Sequence, residues 1–186
     1  MELSDYFKNI SKLSGSLDED LKSIFEPEEF SKGDYLFNQG EVCQHLFYIV
    51  KGLVRVYYYS ANGKEITAWF SAERTLVTAI DSFYYHKPTH DYCEVLEDSV
   101  IYRINFSELD IILNSDKGSR LAFYILYEIA RNMTEFISSI KFQSAEERYK
   151  ALISKYPAIL QRASLGHIAS YLGITQETLS RIRGKI

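Results

Sequence analysis

The last residues of the chain carry side chains that can read the edges of DNA bases. On a predicted helix, Arg181 can donate two hydrogen bonds to guanine, Glu177 can accept one from cytosine, and Gln176 can pair with adenine. The hydroxyls and cations beside them suit phosphate contacts near a helix N-terminus. The predicted DNA-binding residues are Thr175, Gln176, Glu177, Thr178, Ser180, Arg181, Arg183 and Lys185.

These residues lie in a segment with the pattern of a helix-turn-helix. A first predicted helix has one apolar face, formed by Leu165, Ile168, Ala169 and Leu172. Gly173 suits the left-handed position that ends a helix, and Thr175 suits the N-cap of the next one, which would bury Leu179 and Ile182. We expect the start of this second helix to enter the major groove. The alternative is an ordinary helix hairpin with a solvated polar face.

The charge is distributed unevenly along the chain. The 186 residues carry a net charge of −4, but residues 144–186 carry +4 and residues 1–143 carry −8. An acidic body with a basic C-terminal part is typical of a module that brings one end to a polyanion. A solvated basic surface would give the same count, so the charge supports duplex DNA as a partner only together with the helix pattern.

Several classes of protein are disfavoured by composition. No apolar run approaches the roughly 18–20 residues that cross a bilayer, and the N-terminus lacks the pattern of a signal peptide. We therefore expect a cytoplasmic protein without a membrane partner. The two cysteines, Cys43 and Cys93, are too few for four thiolate ligands and are expected to be free thiols. His86 and His90 could ligate a metal on a loop, but exposed loop histidines are the simpler interpretation, and we predict no metal and no cofactor.

Ahead of this segment, the hydrophobic period changes twice. Residues 17–25 are predicted to form a short helix that Pro27 closes. Aromatic and β-branched runs separated by Gly, Asn or Asp then predict strands, with Asn62 and Gly63 at a hairpin turn. The predicted strands cover residues 35–37, 45–50, 53–59, 64–70, 91–96 and 99–104. Strands at this spacing favour a small sandwich or a roll-like barrel.

A long helix follows the strands and carries an apolar seam. The seam residues recur at alternating steps of four and three, the heptad spacing of a helix that packs on a partner. They are Ala122, Leu126, Ile129, Met133, Phe136 and Ile140. We expect this seam to form a homodimer interface, because so long a helix has more apolar surface than one small barrel covers. A helix buried in its own domain is the alternative.

Three blocks of the sequence resemble the Crp/Fnr, or catabolite activator-like, family of bacterial transcription regulators. Residues 30–41 with 47–56 resemble the opening strands of a cyclic-nucleotide-binding β-roll. Residues 144–149 with Leu152 resemble the start of the family's DNA-binding domain, and residues 168–181 resemble its helix-turn-helix signature. The resemblance covers most of the chain. It places Gln176, Glu177 and Arg181 at the family's three base-reading positions.

The resemblance implies an α+β fold in three parts. Residues 1–115 would form a β-roll (double-stranded β-helix) effector or sensor domain with N-terminal helices, residues 116–141 the dimerisation helix, and residues 142–186 the helix-turn-helix domain. Because the sequence ends at Ile186, in or just after the second helix, the expected domain lacks its β-hairpin wing or has a truncated one. The predicted protein is a homodimeric regulator that reads a palindromic site through residues 175–186, with an unknown small-molecule effector and RNA polymerase as a candidate partner.

The expected effector site departs from that of cyclic-AMP-binding relatives. In those relatives a Gly-Glu pair caps the ribose, and an Arg followed by Ser or Thr neutralises the phosphate. Our alignment leaves as effector-pocket candidates Thr78, Ala79, Ile80, His90 and Asp91. Asp91 would repel a phosphate, and neither His90 nor Lys87 offers the bidentate fork of an arginine. We therefore expect no cyclic AMP binding and a neutral or apolar effector.

Two other functions remain as alternatives. One is a cyclic-nucleotide-gated regulator of the same fold, which tight binding of cyclic AMP would select. The other is a cupin-type small-molecule or metal-binding protein whose C-terminal helices only pack. No nucleophile–base pair, paired carboxylates or phosphate loop emerges from the sequence, so no enzymatic activity is predicted.

Overall fold

The computed structural model describes residues 26–115 and 118–184, where an antiparallel β-roll is followed by helices. The strands are β1 (Glu26–Phe30), β2 (Tyr35–Phe37), β3 (His45–Lys51), β4 (Val54–Tyr59), β5 (Glu65–Ser71), β6 (Leu76–Val77), β7 (Tyr92–Val95) and β8 (Ser99–Asn105). The helices are α1 (Ile80–Tyr85), α2 (Phe106–Leu113), α3 (Gly118–Phe142), α4 (Ala145–Lys155), α5 (Ile159–Arg162), α6 (Leu165–Tyr171) and α7 (Gln176–Arg183).

The strands form two four-stranded sheets that enclose an apolar core. The strand order is β1-β8-β3-β6 in one sheet and β2-β7-β4-β5 in the other, and all pairs are antiparallel. Inward-facing aliphatic, aromatic and cysteine side chains fill the space between the sheets, including Phe47, Val56 and the buried thiols of Cys43 and Cys93. The predicted hairpin is confirmed: β4 and β5 pair on either side of it, and Gly63 has a φ of +77°.

Helices cover the outer face of each sheet. Buried side chains of β3 and β8 pack with Leu109 of α2, and the partly buried Ile125 of α3 packs against this cluster. On the other sheet, side chains of α4 to α7 share one apolar cluster with Leu53, Phe70, Ala72 and Leu96 of the roll. The C-terminal helices therefore pack directly on the roll. The predicted α+β class, with a roll ahead of the helices, is confirmed.

Several elements differ from the sequence predictions, among them the helices α2 and α5, which were not predicted. Pro27 does not end an element but lies within β1, where it is tolerated because β1 is at the edge of its sheet. The short strand β6 and the six-residue helix α1 were not predicted, because neither is long enough to show a hydrophobic period. The helix predicted over residues 17–25 lies outside the described residues. The long helix is confirmed as α3, whereas the domain limits at 115 and 141 stay predictions.

Candidate nucleic-acid interface and effector site

The two helices of the predicted helix-turn-helix begin and end where the sequence indicates. Ser164 caps α6 by accepting a 3.1 Å hydrogen bond from the backbone N–H of His167. Thr175 caps α7 in the same way, accepting from the N–H of Thr178 at 3.2 Å. Between them Gly173 has a φ of +66°, a conformation that favours glycine. The turn therefore holds α7 at a fixed angle to α6.

One side of α7 is buried and the other is exposed. Leu179 and Ile182 pack into the shared apolar cluster with three buried residues of α6 and its C-cap, namely Ile168, Ala169 and Leu172. Leu165 differs from its prediction, because 37% of its surface is exposed. The exposed side of α7 presents Gln176, Glu177, Ser180, Arg181 and Arg183. Amide, carboxylate and guanidinium groups thus share a face that can reach base edges.

Local contacts hold part of this exposed face in place. The Arg181 guanidinium donates a long 3.4 Å hydrogen bond to the hydroxyl of Thr178, which is 3.0 Å from the hydroxyl of Thr175. The Gln176 amide lies over Gly166 of α6, where a Cβ would come within 2.7 Å of its nitrogen. Gly166 therefore makes room for the side chain of Gln176. Lys185 lies outside the described residues.

A capping box begins α4 and supports the helix-turn-helix. The side chain of Ser144 accepts from the N–H of Glu147, whose carboxylate accepts from the Ser144 N–H at 2.7 Å. The hydrogen bonds that the Ser144 N–H and hydroxyl donate to this carboxylate lower the pKa of Glu147. Arg148 then donates to the carbonyls of Gln143 and Leu172, at 2.7 and 2.9 Å. The block that resembles the start of the DNA-binding domain is thus a structural support for α6.

Not all of the C-terminal basic charge is available to DNA. Arg148 donates hydrogen bonds to two backbone carbonyls, and Lys150 forms an ion pair with Glu146 at 2.7 Å. Arg162 forms ion pairs with two carboxylates of the roll. Sequence reasoning counted these three cations toward a DNA-binding surface, whereas the structure leaves Arg181 and Arg183 as exposed cations of α7. The i,i+4 spacing of Glu146 and Lys150 indicates their pair from the sequence. The carboxylate partners of Arg162 and the Leu172 carbonyl bound by Arg148 lie on other elements and give no such signal.

The effector-pocket candidates lie around α1. Ala79 is buried at the start of α1, and the Thr78 hydroxyl donates to the His45 carbonyl at 2.9 Å. Ile80 and His90 are exposed, and Asp91 is half-buried with its N–H donating to the Thr89 hydroxyl. Two surface cavities lie elsewhere: one is lined by Glu73, Tyr156 and Arg162, the other by His86, Phe106 and Asp110. Neither cavity is lined by an effector-pocket candidate.

Asp91 is the acidic group among the effector-pocket candidates, and it is half-buried. Burial raises the pKa of Asp91, and nearby His90 lowers it. Within the described residues no group of three His, Cys, Asp or Glu could hold a metal ion. His86, one of the two loop histidines considered as ligands, packs its ring on Phe106 at 4.6 Å.

The apolar seam of α3 divides into two groups. Leu126, Met133 and Ile140 are 65%, 49% and 55% exposed, and Ala122 and Ile129 are half-buried. Phe136 instead packs within its own chain, with its ring 4.6 Å from Trp69 of β5 and 6.3 Å from Tyr171 of α6. Phe136 thus has partners within its own chain, which the seam pattern did not indicate, and its place in a dimer interface stays a prediction. In the part of the chain that the structure describes, no helix is long and apolar enough to span a bilayer.

A β-roll, a long helix with an exposed apolar seam and a capped helix-turn-helix together define a class of transcription regulator. Comparison with known proteins gives the same class. Residues 27–116 match the family model of the cyclic nucleotide-binding domain. The chain is 27% identical over 179 residues to Electron transport regulator A of Shewanella oneidensis, covering 89% of this chain and 70% of that protein.

A second curated relative and a solved structure point to the same class of protein. The chain is 29% identical over 181 residues to the Fumarate and nitrate reduction regulatory protein of Escherichia coli, again covering 89% of this chain and 70% of that protein. FixK2 from Bradyrhizobium japonicum shares the fold, with a TM-score of 0.75 at 17% identity over 87% of this chain and 84% of that one. These similarities support the Crp/Fnr family of transcription regulators as the class to which the chain is most alike among the proteins compared.

Proposed function

We propose that this protein is a homodimeric regulator that reads a palindromic DNA site through α7. The observation that carries the proposal is the division of α7 into two sides. Leu179 and Ile182 are buried, while Gln176, Glu177 and Arg181 project from the opposite face. Side chains of these three types on one helix face suit the hydrogen-bonding edges of the major groove.

The exposed apolar seam of α3 supports the proposal that two copies of the chain associate. The exposed apolar residues Leu126, Met133 and Ile140 need a partner that removes them from water. A two-fold pair of long helices would cover them and present two α7 helices to one duplex. The expected half-site spacing is then one helical turn, about 34–36 Å, or a multiple of it.

The roll is proposed not to bind cyclic AMP. Asp91 stands where our alignment places the phosphate, and its carboxylate would oppose an anion there. Apolar and aromatic side chains fill the space between the sheets, so any effector is proposed to be neutral or apolar. RNA polymerase is the further partner proposed for a regulator that binds beside a promoter, and no catalytic activity is proposed.

Selection from random duplex DNA tests the function directly. The wild-type chain should enrich a palindrome whose half-sites are one helical turn apart, about 10–10.5 base pairs between centres. Arg103→Ala is a matched control, because Arg103 pairs with Glu28 on the roll, far along the chain from α7. The control should enrich the same palindrome. Enrichment of no sequence by the wild type would contradict the proposal.

A further inference from the structure

The glycine at position 166 lies where the backbone has no need of one. Gly166 is the second residue of α6, and it lacks the positive φ that favours glycine at Gly173. Within a helix, glycine is less favourable than alanine because it loses more backbone freedom on folding. The reason for a glycine at this position therefore lies in its surroundings.

The space above Gly166 is occupied by a side chain from the next helix. A Cβ at Gly166 would lie 2.7 Å from Nε2 and 3.8 Å from Cδ of Gln176, the first residue of α7. The third of its nearest neighbours is the hydroxyl oxygen of Ser164 at 3.7 Å, an ordinary van der Waals distance. Of these three contacts, the one with the Gln176 nitrogen is too close for a methyl group. A residue with a side chain at position 166 would have to displace that amide.

The amide that rests over Gly166 belongs to the exposed face of α7. Gln176 is itself exposed, together with Glu177 and Arg181. An exposed glutamine can take several rotamers, and ordering its side chain on binding costs free energy. The open space over Gly166 lets the amide lie against the first turn of α6, which reduces the ordering that remains. Precise recognition by a side chain depends on neighbours that hold it in this way.

Arg181 has a different support. Its guanidinium donates a 3.4 Å hydrogen bond to the hydroxyl of Thr178, which belongs to the same helix. Gln176 and Arg181 are the two side chains of α7 whose types suit paired hydrogen bonds to one base. Because one is placed from within α7 and the other from α6, a change at Gly166 should affect Gln176 and leave Arg181 as it is.

We propose that Gly166 is a positioning residue for sequence recognition, which sets the place of the Gln176 amide and thereby the base preference at one base pair of each half-site. This inference rests on the proposed function. Gly166 acts by leaving space, and the contact with the base is made by Gln176. A glutamine amide pairs with adenine through two hydrogen bonds, whose distances and angles tolerate little displacement.

Titration of Gly166→Ala against the single-base variants of the selected duplex tests the proposal. Gln176→Ala first identifies the base pair that Gln176 reads, where the wild type should prefer one base by about 5-fold or more. Gly166→Ala should lose most of that preference and keep the preference that depends on Arg181. The double variant should match Gln176→Ala alone, because the glycine acts only through the amide.

Thermal unfolding separates positioning from a role in stability. The group that alanine displaces is the free end of an exposed side chain, so Gly166→Ala should unfold at the temperature of the wild type or a higher one. Gly184→Ala, at the other end of α7, is the matched control. A Cβ there would lie 3.7 Å from the Ser180 carbonyl oxygen, an ordinary contact, and should leave every base preference unchanged.

Three results for Gly166→Ala would overturn the proposal: unchanged base preferences, an equal loss of all of them, or a lower unfolding temperature. A Gln176→Ala protein with the preferences of the wild type would overturn it as well. If Arg181→Ala still relaxed its own base pair, the proposed function would stand without the role of Gly166. Selection of no duplex by the wild type would instead contradict the proposed function and this inference together.

Discussion

The guanidinium of Arg148 donates a 2.9 Å hydrogen bond to the carbonyl of Leu172, the C-cap residue of α6. This contact joins the first turn of α4 to the turn of the helix-turn-helix. Arg148 also donates to the Gln143 carbonyl at 2.7 Å, before the start of α4. One side chain therefore ties together the junction after the long helix and the segment that positions α7.

Arg148→Ala should destabilise the C-terminal helices without removing a DNA contact. Loss of hydrogen bonds from a charged donor should lower the free energy of unfolding by about 1.5–3 kcal/mol. Lys150→Ala is the matched control, because its pair with Glu146 is exposed and worth about 0.5 kcal/mol at most. Denaturant unfolding followed by circular dichroism measures both. Equal effects of the two substitutions would argue against the structural role of Arg148.

Leu126→Glu and Met133→Glu should dissociate the dimer. Each places a charge without a partner on the exposed seam of α3, where burial by a second copy would be costly. Sedimentation should shift to the monomer, and affinity for the operator should fall because one half-site supplies too few contacts. Ser138→Glu is the control, since it lies on the face of Arg131 and Glu135, away from the seam.

Phe136→Glu should behave differently from those seam variants. Because its ring packs on Trp69 and Tyr171, the substitution should lower the unfolding temperature of the single chain as well. If Leu126→Glu and Met133→Glu stayed dimeric at micromolar concentration, the dimer interface would lie elsewhere.

Cyclic AMP and cyclic GMP should not stabilise the protein. A ligand at 100 times its dissociation constant adds about 2.7 kcal/mol, which a thermal melt detects readily. Asp91 opposes a cyclic phosphate in the position that our alignment gives it, so we expect no shift. A complex of millimolar or tighter affinity, with its phosphate at His90 and Asp91, would contradict this reading of the roll.

Acidification should weaken the folded state through His167. Burial lowers the pKa of His167 below its ordinary 6.5, and Arg55 lowers it further, while Glu94 and Glu65 act in the opposite direction. The unfolded state then binds the proton more readily, so the stability that depends on neutral His167 is present above pH 6.5 and is lost as the pH falls below it.

The measurement is thermal unfolding between pH 7.5 and 5 for the wild type and His167→Gln. The wild type should lose more stability over this range than the variant, which has no titrating group at that position. Parallel losses in the two proteins would show that His167 does not titrate in the way its surroundings indicate.

Local patterns were sufficient to predict much of the fold and the two helices of the helix-turn-helix. Aromatic and β-branched runs ending at turn residues predicted most strands, and Ser164, Gly173 and Thr175 predicted the limits of α6 and α7. These signals are local, because caps, turns and periodicity depend on near neighbours in the chain.

The features that were missed depend on contacts between distant residues. A proline usually interrupts a strand because it lacks a backbone N–H. Pro27 is tolerated in β1 because β1 lies at the edge of its sheet. Phe136 fits the heptad seam as well as Met133 does, yet it meets Trp69 of the roll. Arg162 has the same residue type as Arg181, but its carboxylate partners are 65 and 89 residues away in the chain. Residue type and spacing do not reveal such partners.

The central claim is that α7 reads bases, and titration against every single-base variant of the selected duplex tests it most directly. Arg181→Ala should cost about 1–3 kcal/mol on the selected site and relax preference at one base pair of each half-site. Arg183→Ala, in which a cation expected near phosphate is lost, should weaken binding evenly across sequences and flatten its salt dependence. If Arg181→Ala bound with unchanged affinity and unchanged base preference, α7 would not be the reading helix.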